Sequence, residues 1–161
     1  MSAGAGRTET GFTDMRFFRT AVLTILVCLA ALQAQDPWQR AALIHPEQLA
    51  AEMKGNGHVP AVIFVGFPVL YRAVHIKSAV MAGPASSAEG LTTLEKAAAG
   101  IPKDRDLVIY CGCCPFAKCP NVRPAYKALR EMGFTHVRVL ELDTNLHTDW
   151  VERGYPVSRG R

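Results

Sequence analysis

The chain has 161 residues, 49% of them hydrophobic and 20% charged, with a formal net charge of +4 and five cysteines. Such a length holds one domain with a core of ordinary size, and such a composition excludes both an intrinsically disordered chain and a multi-span membrane protein. The 18 Lys and Arg residues are scattered and form no basic run, so nucleic acid is not an expected partner.

Residues 1–14, MSAGAGRTETGFTD, are polar and without periodicity, and are read as a non-native or untranslated extension ahead of a true start at Met15. Residues 15–34 have the order of a signal peptide: Arg16 and Arg19 as a basic opening, an apolar run from Thr20 to Leu32, and a small-residue exit at Ala34. Cleavage after Ala34 yields an exported protein, periplasmic or secreted. Only an uncleaved segment would tether it to a membrane, and the apolar run is short beside the roughly 20 residues a spanning helix needs. Cys28 is an apolar residue of this segment, because Val27 stands where a lipidation signal requires a small side chain.

A helix is expected over residues 45–57, with Leu49 and Met53 at helical spacing and glycines 55 and 57 as its stop. Residues 60–67, PAVIFVGF, form a continuous apolar run with β-branched members, the mark of a strand buried on both faces. Residues 74–84 read as a second, shorter strand, and residues 86–102 as a helix whose apolar face carries Leu91, Leu94 and Ala98. The clearest strand is residues 106–111 and the clearest helix residues 121–133. Asn121 is expected to cap that helix, Pro124 is tolerated in its first turn, Ala125, Leu129 and Met132 share a face, and Gly133 ends it. A strand over 136–142 and a short helix over 147–154 follow, with Trp150 and Tyr155 packing that helix onto the sheet. Strand and helix in alternation predict an α/β domain of three layers, with a central, mostly parallel sheet between helices, over residues 41–158.

Four cysteines lie in one loop, CGCCPFAKCPNVRP, directly after the clearest strand. Ligands and nucleophiles of open α/β sheets gather beyond the carboxyl ends of the strands, which is where Cys111 stands. The helix that begins near Asn121 turns its unpaired N–H groups toward the loop, so a lowered Cys111 pKa is expected. Three readings of the loop compete: one nucleophile with attendant thiols, a disulfide, or a metal cage. Export permits a disulfide, and pairing Cys114 with Cys119 would brace the loop and leave Cys111 free. A cage of Cys111, Cys113, Cys114 and Cys119 has usable spacing for Zn²⁺ or Cu⁺, but common zinc sites draw on two separated pairs rather than one segment. It ranks below the other readings; no metal is assigned and no cofactor is expected.

The run DLVIYC, its loop, then VRPAYKALREMGFTHVRVLELDTN, DW and GYPV resemble the carboxyl-terminal half of a rhodanese domain. Upstream, YRAVHIKSAV is similar to the family's y-x-x-G-H-I-x-G-A element and HPEQLAAEM to its opening helix, so the resemblance runs from Ile44 to Val157. It implies the rhodanese-like fold and a sulfurtransferase of the thiosulfate type. Cys111 would be the catalytic residue, carrying sulfur as a persulfide from a small anionic donor to a thiol or cyanide acceptor. Loop amides around Gly112 and Cys113 would hold the anion, with Arg123 as the natural cation and Lys118 a weaker second. Cys113, Cys114 and Cys119 would be auxiliary or disulfide thiols.

This chain departs from the family pattern in places. Val65-Gly66-Phe67 stand where most rhodaneses have D-x-R, Val74 replaces the usual glycine before His75, residues 142–145 (LDTN) replace a common Gly-Gly pair, and the loop is longer. The resemblance makes His75 a structural element, while His45, His58, His136 and His147 have no ligand spacing and are read as surface residues. Two alternative functions are a non-enzymatic thiol- or metal-binding module on the same fold and a thiol–disulfide oxidoreductase using CGCC. The CGCC run is similar to the thioredoxin C-G-x-C box, but Pro115 and the delay to Asn121 set it away from a helix start.

Overall fold

The computed structural model describes residues 36–55, 57 and 59–160. The extension 1–14, the signal-like segment 15–34 with Cys28, and His58 therefore lie outside the described residues. None of the described helices is long and apolar enough to cross a membrane.

In chain order the elements are β1 (Leu43–Ile44), α1 (Pro46–Lys54), β2 (Ala61–Phe64), α2 (Pro68–Ala73), β3 (His75–Ile76), β4 (Val80–Met81), α3 (Ala88–Ala98), β5 (Leu107–Tyr110), α4 (Val122–Glu131), β6 (Val137–Leu140) and β7 (Val157–Ser158). A 3-10 turn spans Phe116–Lys118, and a single π-helical turn spans His147–Val151. The main sheet has the order β1-β6-β5-β2-β4 and every pair in it is parallel. β5 lies at its centre, with Ile109 opposite Ile63 on one side and Val139 on the other. The fold class expected from the alternating pattern is the one observed.

Side chains of a strand alternate between the two faces of a sheet, and both faces are apolar here. Ile63, Leu107, Ile109 and Val139 join a core with Leu94 and Ala98 of α3 and with Ala125 and Leu129 of α4. Val62, Phe64, Val108, Tyr110 and Leu140 join the opposite core with Leu49 of α1, Tyr71 of α2 and Trp150. Trp38 also packs into the first core, edge-on to Tyr126 at 5.5 Å, so core packing begins upstream of residue 41. Trp150 is fully buried, bonds the Pro156 carbonyl through Nε1 at 3.0 Å and meets Tyr155 edge-on at 5.1 Å.

Several elements differ from the expected ones. Residues 74–84 are not one strand: a turn with Ser78 at φ 65° divides them into β3 and β4, which pair in different sheets. β3 pairs antiparallel with β7, and β4 extends the main sheet beside β2. α2 fills the stretch after Phe67, where Pro68 begins a short helix. The helix expected over 147–154 is only the π-helical turn, ended by Gly154 at φ 70°. α3 is capped by Ser87, whose Oγ accepts from the Gly90 N–H at 3.1 Å. Only glycine fits at position 90, because a Cβ there would stand 1.9 Å from the Pro84 carbonyl oxygen. This close approach sets the start of α3 against the segment carrying Ser86, which reaches the cysteine loop.

Candidate active site

The parallel sheet delivers the chain out of β5 into the loop at Cys111, at the carboxyl edge where α/β sheets build their sites. Gly112 turns the chain with φ 83°, a left-handed conformation that favours glycine. Its carbonyl accepts from the Leu146 N–H at 3.0 Å, and the Phe116 N–H donates to the Leu142 carbonyl at 2.9 Å. The loop is thus fastened at two points to the segment after β6. That segment is itself held by the Asp149 carboxylate, which accepts from the N–H groups of Thr144 (2.7 Å) and Asn145 (3.1 Å).

Cys111 is 2% exposed and Cys119 1% exposed, whereas Cys113 faces solvent. The sulfurs of Cys111, Cys113 and Cys119 all lie within 4.8 Å of one another. Cys111 Sγ is 3.3 Å from Cys113 Sγ, and Cys113 Sγ is 3.2 Å from that of Cys114. All four loop cysteines are free thiols, so Cys114 and Cys119 are not cross-linked. Cys119 instead stands against Cys111.

Asn121 does not cap α4. Its side chain is fully buried and turned inward: Oδ1 accepts from the Ser86 N–H at 3.0 Å, and Nδ2 donates to Cys111 Sγ at 3.3 Å. The Ser86 bond fixes which end of the amide faces the sulfur, so Cys111 always meets a donor. The free N–H groups of α4 are taken up by Cys119, whose sulfur accepts from the backbone of Asn121 and Val122.

These contacts correct the expectation of a lowered Cys111 pKa. The Cys111 thiol is turned as a donor toward the Cys119 sulfur. Cys119 is lowered to about 6, first because the Cys111 thiol donates to it and then through the two backbone donors, against the opposing effect of burial. Cys111 is pushed far above the ordinary thiol range, first by that same bond and then by burial, although Asn121 pulls the other way. The backbone donors at the start of α4 thus act on Cys119 rather than on Cys111. Burial and its contact with Cys113 push Cys114 up to about 12.

Gly66, the centre of the segment that stands for D-x-R, packs directly on the nucleophile position. A Cβ there would lie 2.9 Å from Cys111 Sγ, 3.0 Å from its carbonyl oxygen and 2.7 Å from Phe64 Cζ. Arg123 is committed to the loop and its surroundings: it donates to the Ala117 carbonyl at 2.8 Å, pairs with Asp36 at 2.5 Å and lies over the Trp38 ring at 5.4 Å. Lys118 is exposed on the 3-10 turn. His75 is buried, stacked on Tyr71 with ring centres 3.8 Å apart, and its Nδ1 bonds the Tyr71 carbonyl at 2.7 Å. His45, His136 and His147 are exposed.

The structure therefore brings together Cys111, Gly112, Cys113 and Cys119, places Cys114 beside Cys113, and turns Arg123 into a brace for the loop. Sequence reasoning missed Asn121 and Gly66 as neighbours of Cys111, and the Cys114–Cys119 pairing that one of its open readings offered is not formed here. A fully polar side chain set between an apolar loop and a helix was a usable signal for Asn121; Gly66 offered none beyond its place after a buried strand. Among the described residues, the thiols of Cys111, Cys113 and Cys119 also form the one group of three metal-type ligands, all soft sulfur, suited to a thiophilic cation.

No family model matches the chain, and no curated protein does. Among solved structures the chain is similar to the Alr3790 protein of Anabaena sp., at 20% identity over 73% of this chain and 92% of that one, with a TM-score of 0.57. The solution structure of the rhodanese-like domain of Alr3790 aligns at 22% identity over 73% of this chain and 79% of that one, with a TM-score of 0.54. BH2092 of Bacillus halodurans aligns at 16% identity over 88% and 85%, with a TM-score of 0.58. Likeness at these identities is a likeness of fold.

Proposed function

Taking the rhodanese-like fold of this domain as premise, we propose that it is a sulfurtransferase in which Cys111 carries sulfane sulfur as a persulfide, from a small anionic donor such as thiosulfate to a thiol or cyanide acceptor. The observation that carries this reading is the place of Cys111 at the carboxyl end of β5, its sulfur 3.3 Å from an amide donor of fixed orientation. The Cys111 thiolate attacks the outer sulfur of the donor, the donor's S–S bond breaks, and sulfite leaves with the electron pair. Passing the Cys111 proton to Cys119 frees that thiolate for attack. Asn121 Nδ2 then faces an anionic sulfur, the form a hydrogen-bond donor favours.

Loop amides around Gly112 and Cys113, with the ammonium of Lys118, are the proposed holders of the anionic donor, while Arg123 keeps the loop in shape. Export, periplasmic or secreted, is proposed on the signal-like residues 15–34 alone. The soft sulfur cluster favours one second reading, a binding module for a thiophilic cation.

Mixing the reduced full-length protein with thiosulfate tests the first reading. One equivalent of sulfite is expected in a rapid phase, and none from Cys111→Ser. No sulfite from the native protein, together with a cation retained in native mass spectra and lost on denaturation, establishes the second reading instead.

A further inference from the structure

The chemistry described so far uses Cys111 and leaves a second buried sulfur beside it. Cys119 is 1% exposed, lies within 4.8 Å of Cys111 Sγ, and receives the Cys111 thiol proton as well as two backbone N–H groups from the start of α4. A second sulfur buried beside Cys111 is placed to react with a persulfide formed there ahead of a thiol arriving from solution.

Resting on the persulfide reading above, we propose that Cys119 resolves the Cys111 persulfide, so that the domain releases its cargo as sulfide and finishes each turnover with a Cys111–Cys119 disulfide. The Cys119 thiolate attacks the inner sulfur, Cys111 Sγ. A new S–S bond forms between the two cysteines, the bond from Cys111 Sγ to the outer sulfur breaks, and the outer sulfur leaves with that electron pair as hydrosulfide, its proton being the one that Cys119 took from Cys111 in the first step and gives up as it attacks. The sulfane sulfur is reduced and the two cysteines are oxidised by two electrons. A dithiol reductant restores the pair. Exposed Cys113, 3.3 Å from Cys111 Sγ, gives such a reductant its entry: its thiolate attacks Cys111 Sγ, releases the Cys119 thiolate and brings the disulfide to the surface.

The choice of Cys119 over Cys113 as resolving residue follows from their surroundings. The sulfur neighbours of Cys113 are the thiols of Cys111 and Cys114. Cys119 is instead buried in the same sulfur cluster as Cys111, at 1% exposure, while exposed Cys113 is left free to meet the reductant.

The test is to mix reduced full-length protein, freed of reductant, with one equivalent of thiosulfate and to follow sulfite, sulfide and intact mass. The native protein is expected to release both sulfite and sulfide, to lose the mass of two hydrogens, and to yield a Cys111–Cys119 crosslinked peptide. Cys119→Ser and Cys119→Ala are expected, for each sulfite they release, to keep one added sulfur of about 32 mass units and to release sulfide at least about tenfold more slowly than the native protein, whatever the change in the rate of sulfite release itself. A native protein that keeps the added sulfur without releasing sulfide overturns the resolving role and leaves the persulfide carrier standing. A crosslink of Cys111 to Cys113 in place of Cys119 overturns the assignment of the residue. Absence of sulfite overturns both proposals. The crosslink is mapped in the native protein, so the outcome holds even if a variant fails to fold.

Discussion

Replacing Asn121 with Asp tests the link between the buried amide and the sulfur chemistry. The substitution keeps the oxygen that accepts from Ser86, but replaces the Nδ2 donor, 3.3 Å from Cys111 Sγ, with a carboxylate oxygen. At that distance two unit negative charges repel by about 5 kcal/mol at an effective dielectric constant near 20, equivalent to roughly four pH units. A donor bond to a charged group, worth about 1.5–3 kcal/mol, is lost as well. The new carboxyl can hold a proton itself, which relieves part of this repulsion. In either case the cluster keeps one proton more than the native cluster at neutral pH. We therefore expect sulfite release at pH 7 to slow by about a hundredfold, roughly half of the Coulomb figure, with the rate profile moved to higher pH. The assay is stopped-flow sulfite release from pH 5 to 9 under single turnover, with Asn121→Ala alongside. That variant should slow the reaction less while leaving the Ser86 N–H without its acceptor, at about 1–3 kcal/mol of stability. A rate for Asn121→Asp equal to the native rate at pH 7 would refute the view that this amide acts on the sulfur nucleophile.

Three further outcomes are expected. Gly66→Ala forces a methyl group against Cys111 Sγ and Phe64, and should cost about 1–3 kcal/mol in urea unfolding while also slowing sulfite release. Arg123→Ala removes the Ala117 and Asp36 contacts from a partly exposed side chain, so a loss of about 1 kcal/mol is expected, with faster proteolysis within residues 112–120; unchanged proteolysis would count against its bracing role. The reduced, metal-free protein should gain stability with rising pH. Cys119 ionises near 6 when folded and near 8.5 when unfolded, so its contribution is complete above the unfolded value and fades as pH falls through about 6. Urea titrations between pH 6 and 8.5 should show a slope of at most about 1.4 kcal/mol per pH unit, absent in Cys119→Ser.

The long elements were legible because their periodicity is set by burial. β2 and β5 are apolar on both sides and β6 is so except at Arg138, since both faces of the sheet are covered, and α3 and α4 each present one apolar face. β1, β3, β4 and β7 have two residues each, too few for any period to register. The cysteine loop was legible as a location and not as an arrangement. Capping rules consider neighbours along the chain, whereas the Asn121 side chain answers to Ser86, brought alongside by the sheet crossover. Spacing likewise allowed Cys119 to pair with Cys114 or to approach Cys111. The choice was made by the start of α4, whose backbone donors draw the Cys119 sulfur inward to Cys111.

The Asn121 side chain joins two groups that differ in what a spectroscopist can see. One end touches the reacting sulfur; the other accepts a single backbone N–H, that of Ser86. Any change of charge or bonding at Cys111 alters the polarity of the amide between them, and with it the shielding and solvent protection of the Ser86 proton. One nitrogen-15 cross-peak, from a residue that takes no part in the chemistry, can therefore serve as a real-time gauge of whether the domain is empty, loaded or oxidised.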